Sequence, residues 1–151
     1  MFRFAISGLA AFLFWSGPVY AEAWVSAGAE RGQHVAINLE GLPVVKSAPF
    51  RATIALIPGE WPANGHAYDL LIAEFDCGAR SRTIRTQIEY SGRHDPRTTV
   101  ISAPVTVFAA ENKAVALQLE VVCSSGPSEN LPKYGWLDPF IRSLDISEAT
   151  R

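Results

Sequence analysis

Short segments of alternating apolar and polar residues, separated by turn-forming residues, run through most of the chain. A period of two is typical of β-strands that bury one side, so the pattern predicts an antiparallel sheet. The alternation is most regular in Arg82–Tyr90, where one face carries Ile84, Thr86, Ile88 and Tyr90. The predicted strands are His34–Leu39, Phe50–Ile57, Tyr68–Phe75, Arg82–Tyr90 and Thr98–Phe108, the last limited to an edge or a bulge by Pro104.

The segment that follows these strands is compatible with two structures. Aliphatic residues alternate from Val115 to Val121 as in a strand, yet Ala109–Cys123 is rich in Ala, Glu, Leu and Gln, which favour helices. The pattern alone leaves both structures open. Beyond it, Ser124–Pro132 has the Ser, Gly and Pro content of a linker, and Trp136–Leu144 is interpreted as one or two helical turns.

The first 21 residues have the three parts of a Sec-type signal peptide. Arg3 provides the positive charge, Ala5–Trp15 the apolar middle and Val19-Tyr20-Ala21 the cleavage site. We expect cleavage after Ala21, with Ala23 as the alternative. A retained anchor is disfavoured, because 11 apolar residues fall short of the roughly 20 that span a bilayer. The protein is therefore predicted to be periplasmic or secreted.

Length and charge narrow the class of protein. The chain has 151 residues, of which 48% are hydrophobic, and a net charge of −2. This length suits one domain with its own core. The nearly balanced charge argues against a nucleic-acid partner. Removal of the signal would leave 130 residues with a net charge of −3 and no apolar run long enough to span a membrane.

Two cysteines, Cys77 and Cys123, are present. In an exported protein an even number of cysteines predicts a disulfide, here across 46 positions. The chain-entropy model assigns such a bridge roughly 4 kcal/mol. The alternatives are two free buried thiols or half of a metal site, although neither cysteine has a second ligand at zinc-site spacing.

The residue types that commonly act in catalysis form no recognised motif in this sequence. The three histidines lack metal-ligand spacing, and the nucleophile and phosphate-loop motifs are absent from the sequence. A carboxylate-based hydrolase would need Glu74, Asp76 or Glu89 to converge in a pocket. The alternative is that these side chains are solvated at strand ends. The sequence therefore predicts neither an enzyme, nor a metal site, nor a cofactor.

Clustered arginines and two aromatic residues are the candidates for an interaction surface. Guanidinium groups suit carboxylate, sulfate or phosphate partners, and exposed aromatic side chains often anchor interfaces. The alternative is a solvated strand face whose arginines pair with neighbouring carboxylates, with the aromatic residues covering the core. The candidate residues are Arg80, Arg82, Arg85, Arg93, Tyr134 and Trp136.

Six short segments follow one another in a characteristic order along residues 24–123: Trp24, Gly32–Asn38, Asp76-Cys77, Arg80–Arg82, Ile88–Gly92 and Val121–Cys123. Together they resemble the surface-adhesin protein E-like family of exported bacterial domains. The resemblance implies an α+β fold, in which an antiparallel sheet carries a helix near the end of the domain. That helix would end at Cys123, stapled to the sheet by the disulfide, which favours a helix over a strand for Ala109–Cys123.

The resemblance also implies a function. The family's named member is an adhesin that binds host extracellular-matrix and serum proteins, so we expect a non-catalytic module with a protein partner. Two features depart from the family: no lipoprotein cysteine follows the signal, and Ser124–Arg151 is an extra tail. The alternatives are a periplasmic small-ligand carrier, which needs an apolar cavity of roughly 300 Å³, an inhibitor of a hydrolase and, less favoured, a carboxylate-based hydrolase.

Overall fold

An antiparallel sheet is the main structural unit of the computed structural model, which describes residues 23–61, 67–91, 94–124, 137, 141, 144 and 147–148. The elements are β1 (Trp24–Glu30), β2 (Gln33–Asn38), β3 (Phe50–Pro58), β4 (Glu60–Trp61), β5 (Ala67–Asp76), β6 (Ser81–Ser91), β7 (His94–Val100), β8 (Thr106–Phe108), α1 (Lys113–Cys123) and β9 (Ser147–Glu148). The main sheet has the order β1-β2-β3-β5-β6-β7, with β8 also paired to β6, and every pair in it is antiparallel. A parallel pair joins β4 to β9.

The sheet and the helix confirm the predicted architecture in outline. The strands predicted at His34–Leu39, Phe50–Ile57 and Tyr68–Phe75 correspond to β2, β3 and β5. Alternate residues of β3, Phe50, Ala52 and Ile54, enter the core that α1 covers, as the period of two requires. Strands dominate the described residues, and α1 is the helix that covers one face of the sheet. Leu137 and Ile141, within the segment predicted to form one or two helical turns, are also helical.

The ambiguous segment forms the helix α1. Asn112 caps its N-terminus, since the side-chain oxygen accepts hydrogen bonds from the backbone N–H groups of Ala114 and Val115. The buried residues follow the helical spacing, namely Val115, Gln118, Leu119 and Val122, whereas Leu117 is 46% exposed. The alternation of aliphatic residues was therefore incidental. No helix within the described residues is long and apolar enough to cross a membrane.

The predicted disulfide is present and connects the helix to the sheet. Cys77 lies in the turn after β5, and Cys123 is the last residue of α1. Their Cα atoms are 5.7 Å apart. The bridge closes a loop of 46 positions and holds the C-terminal end of the helix beside the β5–β6 turn.

The first strand, β1, was not predicted from the pattern, because Ser, Ala and Gly interrupt its apolar residues. It forms by pairing with β2, and the register shifts between Ser26 and Ala29. Gly28 lies in this bulge with a φ of +87°, which side chains rarely adopt. A Cβ there would lie 3.1 Å from Leu117 of α1. The glycine therefore allows both the bulge and the close approach of the helix.

A second bulge changes the faces of β6. Arg85 has no register partner among the described residues of β5, so the alternation slips by one residue. Ile84 packs with the core beneath α1, whereas Tyr90 stacks on Tyr68 on the opposite face. The prediction that Ile84 and Tyr90 share a face is wrong for this reason.

The strand predicted at Thr98–Phe108 is divided in two. β7 ends at Val100 and β8 begins at Thr106, with Pro104 in the connection. Proline lacks the N–H that a continuous strand would donate, which explains the break. The intervening residues become one wall of the cleft described below.

The opposite face of the sheet is also covered. Trp24, Ala36 and Ile57 are buried there together with Leu137 and Ile141 from beyond the disulfide. An apolar sheet face must be shielded from water, and these two residues contribute to that shield. Residues of the predicted extra tail are therefore part of the fold.

The sheet is strongly curled. β1 and β6 are separated by three intervening strands, which in a flat sheet would place them roughly 19 Å apart. Nevertheless the side chains of Glu30 on β1 and Arg82 on β6 meet at 2.8 Å. The curl gives the sheet a concave face, which α1 occupies only in part.

Candidate functional site

A cleft of about 550 Å³ opens where α1 does not fill the concave face. Its walls come from the sheet, the β1–β2 turn, the connection between β7 and β8, and Asn112 at the start of α1. The volume lies within the range of small-molecule sites, roughly 300–1,000 Å³. The large aliphatic side chains that line it are Leu56, Leu71, Ile84, Ile101, Val105 and Val107.

The inner and outer walls of the cleft differ in exposure. Leu71 on β5 is buried, because the sheet packs around it. Val105, in the connection between β7 and β8, is 73% exposed. An exposed aliphatic side chain beside a concave apolar surface is stabilised when a ligand covers both. The geometry of the cleft is therefore suited to an apolar molecule entering along the Val105 wall.

A buried polar cluster separates the cleft from the part of the core that α1 covers. Arg82 is 3% exposed and donates from Nη1 and Nη2 to the two carboxylate oxygens of Glu30, at 2.8 and 3.1 Å. Nη1 also donates to Oε1 of Gln118, at 2.6 Å. The amide of Gln118 in turn donates to Glu30, at 3.0 Å. The three side chains join β1, β6 and α1.

The contacts within this cluster also affect the pKa of Glu30. Hydrogen bonds from the Arg82 guanidinium, assisted by its charge, hold the pKa of Glu30 below the ordinary value, although burial acts in the opposite direction. Nε of Arg82 is buried without a hydrogen-bond partner among the described residues. The bidentate pairing with Glu30 offsets that cost. Glu30 and Arg82 line the cleft but neutralise one another.

Asp69 is the second carboxylate in the cleft, and no cation among the described residues forms a salt bridge with it. It lies on β5, and its Oδ2 accepts a hydrogen bond of 3.2 Å from Gln87 on β6. Its register partner on β6 is Glu89. Partial burial, followed by repulsion from Glu89, raises the pKa of Asp69 above the ordinary value, while the hydrogen bond from Gln87 acts in the opposite direction. The cleft therefore presents an incompletely compensated carboxylate among aliphatic side chains.

The predicted arginine surface is not assembled as expected. Arg82 is buried and paired with Glu30, because residue 82 points toward the concave face. Its inclusion in an exposed surface was wrong. Arg80 is exposed in the β5–β6 turn, whereas Arg85 pairs with Glu74 at 3.0 Å. Three other candidates, Arg93, Tyr134 and Trp136, lie outside the described residues, as does the predicted signal peptide.

The three carboxylates considered for hydrolysis have separate surroundings. Glu74 is paired with Arg85. Asp76 accepts a hydrogen bond of 2.8 Å from the backbone N–H of Ala79 in the turn that follows β5. Glu89 is exposed. None of these three lines the cleft. Within the described residues no group of three His, Cys, Asp or Glu side chains could hold a metal ion.

The residues that form the site were largely missed by the sequence analysis. Glu30, Asp69, Gln87 and Gln118 come together from three strands and the helix. One local signal was available, since Gln118 lies between Val115 and Leu119 on the apolar face of a helix. A buried amide there requires a polar partner. The identity of that partner depends on the curl of the sheet.

Comparison with known proteins gives no relative. No family model, curated protein or solved structure matches the chain. The interpretation of the cleft therefore depends on its own geometry and chemistry.

Proposed function

We propose that the protein is an exported, non-catalytic binding module that holds a small, largely apolar molecule in the cleft between its sheet, α1 and the β7–β8 connection. The observation that carries this proposal is the cleft of about 550 Å³ lined by six large aliphatic side chains. It exceeds the roughly 300 Å³ that a carrier requires. Among the alternatives considered from the sequence, the small-ligand carrier has the most direct structural support.

Two further features support parts of the proposal. The disulfide is typical of proteins in oxidising compartments, which agrees with a periplasmic or secreted location. The separate surroundings of Glu74, Asp76 and Glu89 favour binding over carboxylate chemistry. Membership of the surface-adhesin protein E-like family, and a protein partner for the exposed arginines, stay predictions from the sequence.

Fluorescence titration of the purified mature protein with N-phenyl-1-naphthylamine, a neutral apolar probe, tests the proposal. We expect a saturable rise in fluorescence. Val105→Glu places a charge in the apolar wall and should weaken probe binding about tenfold, because the charge must be desolvated or displaced. The matched control is Val44→Glu, since Val44 is 96% exposed and does not line the cleft.

The two variants distinguish probe binding in the cleft from probe binding elsewhere on the surface. Unchanged affinity in Val44→Glu with reduced affinity in Val105→Glu supports the proposal. A wild-type protein that shows no saturable binding, or equal effects of the two substitutions, contradicts it.

A further inference from the structure

The charged side chains that line the cleft differ in the number and charge of their hydrogen-bond partners. Arg82 is occupied by Glu30 and Gln118. Arg31, in the β1–β2 turn, is exposed, and its charge helps to lower the pKa of Glu30. Asp69 instead receives a hydrogen bond from the neutral amide of Gln87. Among the described residues, Asp69 is therefore the carboxylate of the cleft without a salt bridge, whereas Arg31 is an exposed cation on the β1–β2 turn.

The neighbours of Asp69 strengthen this imbalance. Glu89 stands directly opposite Asp69 in the register of β5 and β6, so the two carboxylates lie on the same face. Arg97 stands opposite Glu89 on β7 and therefore lies on the same face, adjacent to Glu89 and two strands away from Asp69. Two aliphatic residues of the cleft are close to Asp69 in the sheet. Leu71 lies two residues after it on β5, and Leu56 stands opposite it on β3. In such surroundings a cation that reaches Asp69 is screened less than on an open surface.

We infer that the cleft prefers ligands in which an apolar body carries an ammonium or a comparable cationic donor, with Asp69 as the carboxylate that receives it. This inference rests on the proposed ligand-binding role of the cleft. The aliphatic walls bind the body, and Asp69 accepts hydrogen bonds from the cationic group while Gln87 holds the carboxylate in place. An anionic group of the same size would meet Asp69 and Glu89 and be repelled.

Competition against bound N-phenyl-1-naphthylamine at pH 7 tests this preference. The competitors are 4-phenylbutylammonium, 4-phenylbutanol and 4-phenylbutyrate, which share a body and differ in the charged or polar group. We expect the ammonium compound to displace the probe at about tenfold lower concentration than the carboxylate compound, with the alcohol between them. Asp69→Asn should reduce this ratio to about one while the probe still binds.

The control is Glu120→Gln, which removes a negative charge from an exposed position of α1 outside the cleft. It should keep the wild-type ratio, because the preference depends on a local carboxylate and not on net charge. If the probe does not bind the wild-type protein, the proposed function fails and the inference fails with it. If the probe binds but the ammonium compound has no advantage, or Asp69→Asn retains the advantage, the inference alone is overturned.

Discussion

In the half of the concave face that α1 covers, Glu30, Arg82 and Gln118 bond to one another, whereas in the open half Asp69 has Gln87 as its described side-chain partner. Both carboxylates line the same cleft, but the pKa of Glu30 is lowered and that of Asp69 is raised. The difference shows that burial of a charge serves two purposes here. In the covered half the charges connect elements of the fold, and in the open half the proposed function gives the charge to a ligand.

Disruption of the Glu30–Arg82–Gln118 cluster in the covered half should have the largest effect on stability. Arg82→Ala leaves Glu30 and Gln118 buried without their shared donor, so we expect a loss of about 3–5 kcal/mol in the free energy of unfolding. Urea denaturation followed by circular dichroism measures this loss. The matched control is Arg85→Ala, whose half-exposed pair with Glu74 should cost at most about 1 kcal/mol. Equal losses in the two variants would contradict the structural role of the cluster.

The acid dependence of stability should distinguish the two carboxylates. Because the folded protein lowers the pKa of Glu30, its contribution to stability is present above the ordinary value of 4.5 and is lost as the pH falls through the lowered pKa. Glu30→Gln should therefore be less stable at neutral pH, because Arg82 loses its counter-charge. It should also lose less additional stability than the wild type on acidification.

Denaturation midpoints between pH 7 and pH 3 measure this difference. Glu120→Gln, with its exposed helix position, provides the control and should follow the wild-type curve. Parallel curves for Glu30→Gln and the wild type would show that Glu30 does not depend on Arg82 as described.

The smallest effect on stability is expected from substitution of Asp69, in the open half of the concave face. The raised pKa of Asp69 means that its ionised form disfavours folding, so stability is lost as the pH rises through that pKa. Asp69→Asn should stabilise the unliganded protein slightly at pH 7, by less than about 1 kcal/mol. The gain should shrink as the pH falls through the raised pKa of Asp69 and should be absent below the ordinary value of 3.8. A destabilised Asn variant at pH 7 would place Asp69 among the structural residues instead.

The elements that depend on local pattern could be predicted from the sequence. The strands around Val35 and Ile54 follow from alternation, and the disulfide follows from the cysteine count in a chain predicted to be exported. The helix needed the family resemblance, because alternation alone also allowed a strand. Its cap at Asn112 and its buried spacing explain why the helix forms.

The cleft could not be predicted in this way, because its shape depends on how distant strands meet. The bulge at Arg85 reverses the faces of half of β6, and the curl of the sheet brings Glu30 to Arg82 across three intervening strands. Regular alternation places Arg82 on the same face as Ile84, but the partners that allow an arginine to be buried there come from β1 and α1. The observed position depends on non-local packing, and so does the covering of the second face by Leu137 and Ile141.

The most direct test of the account is a titration of the ¹⁵N-labelled mature protein with N-phenyl-1-naphthylamine, followed by the backbone amide signals in NMR spectra. The account predicts shifts at Leu71, Gln87 and Val105, which line the cleft, and unchanged signals at Ala36 and Ala55 on the opposite face. Shifts concentrated at Ala36 and Ala55, or a complete lack of shifts, would contradict the claim that the open half of the concave face is a binding site.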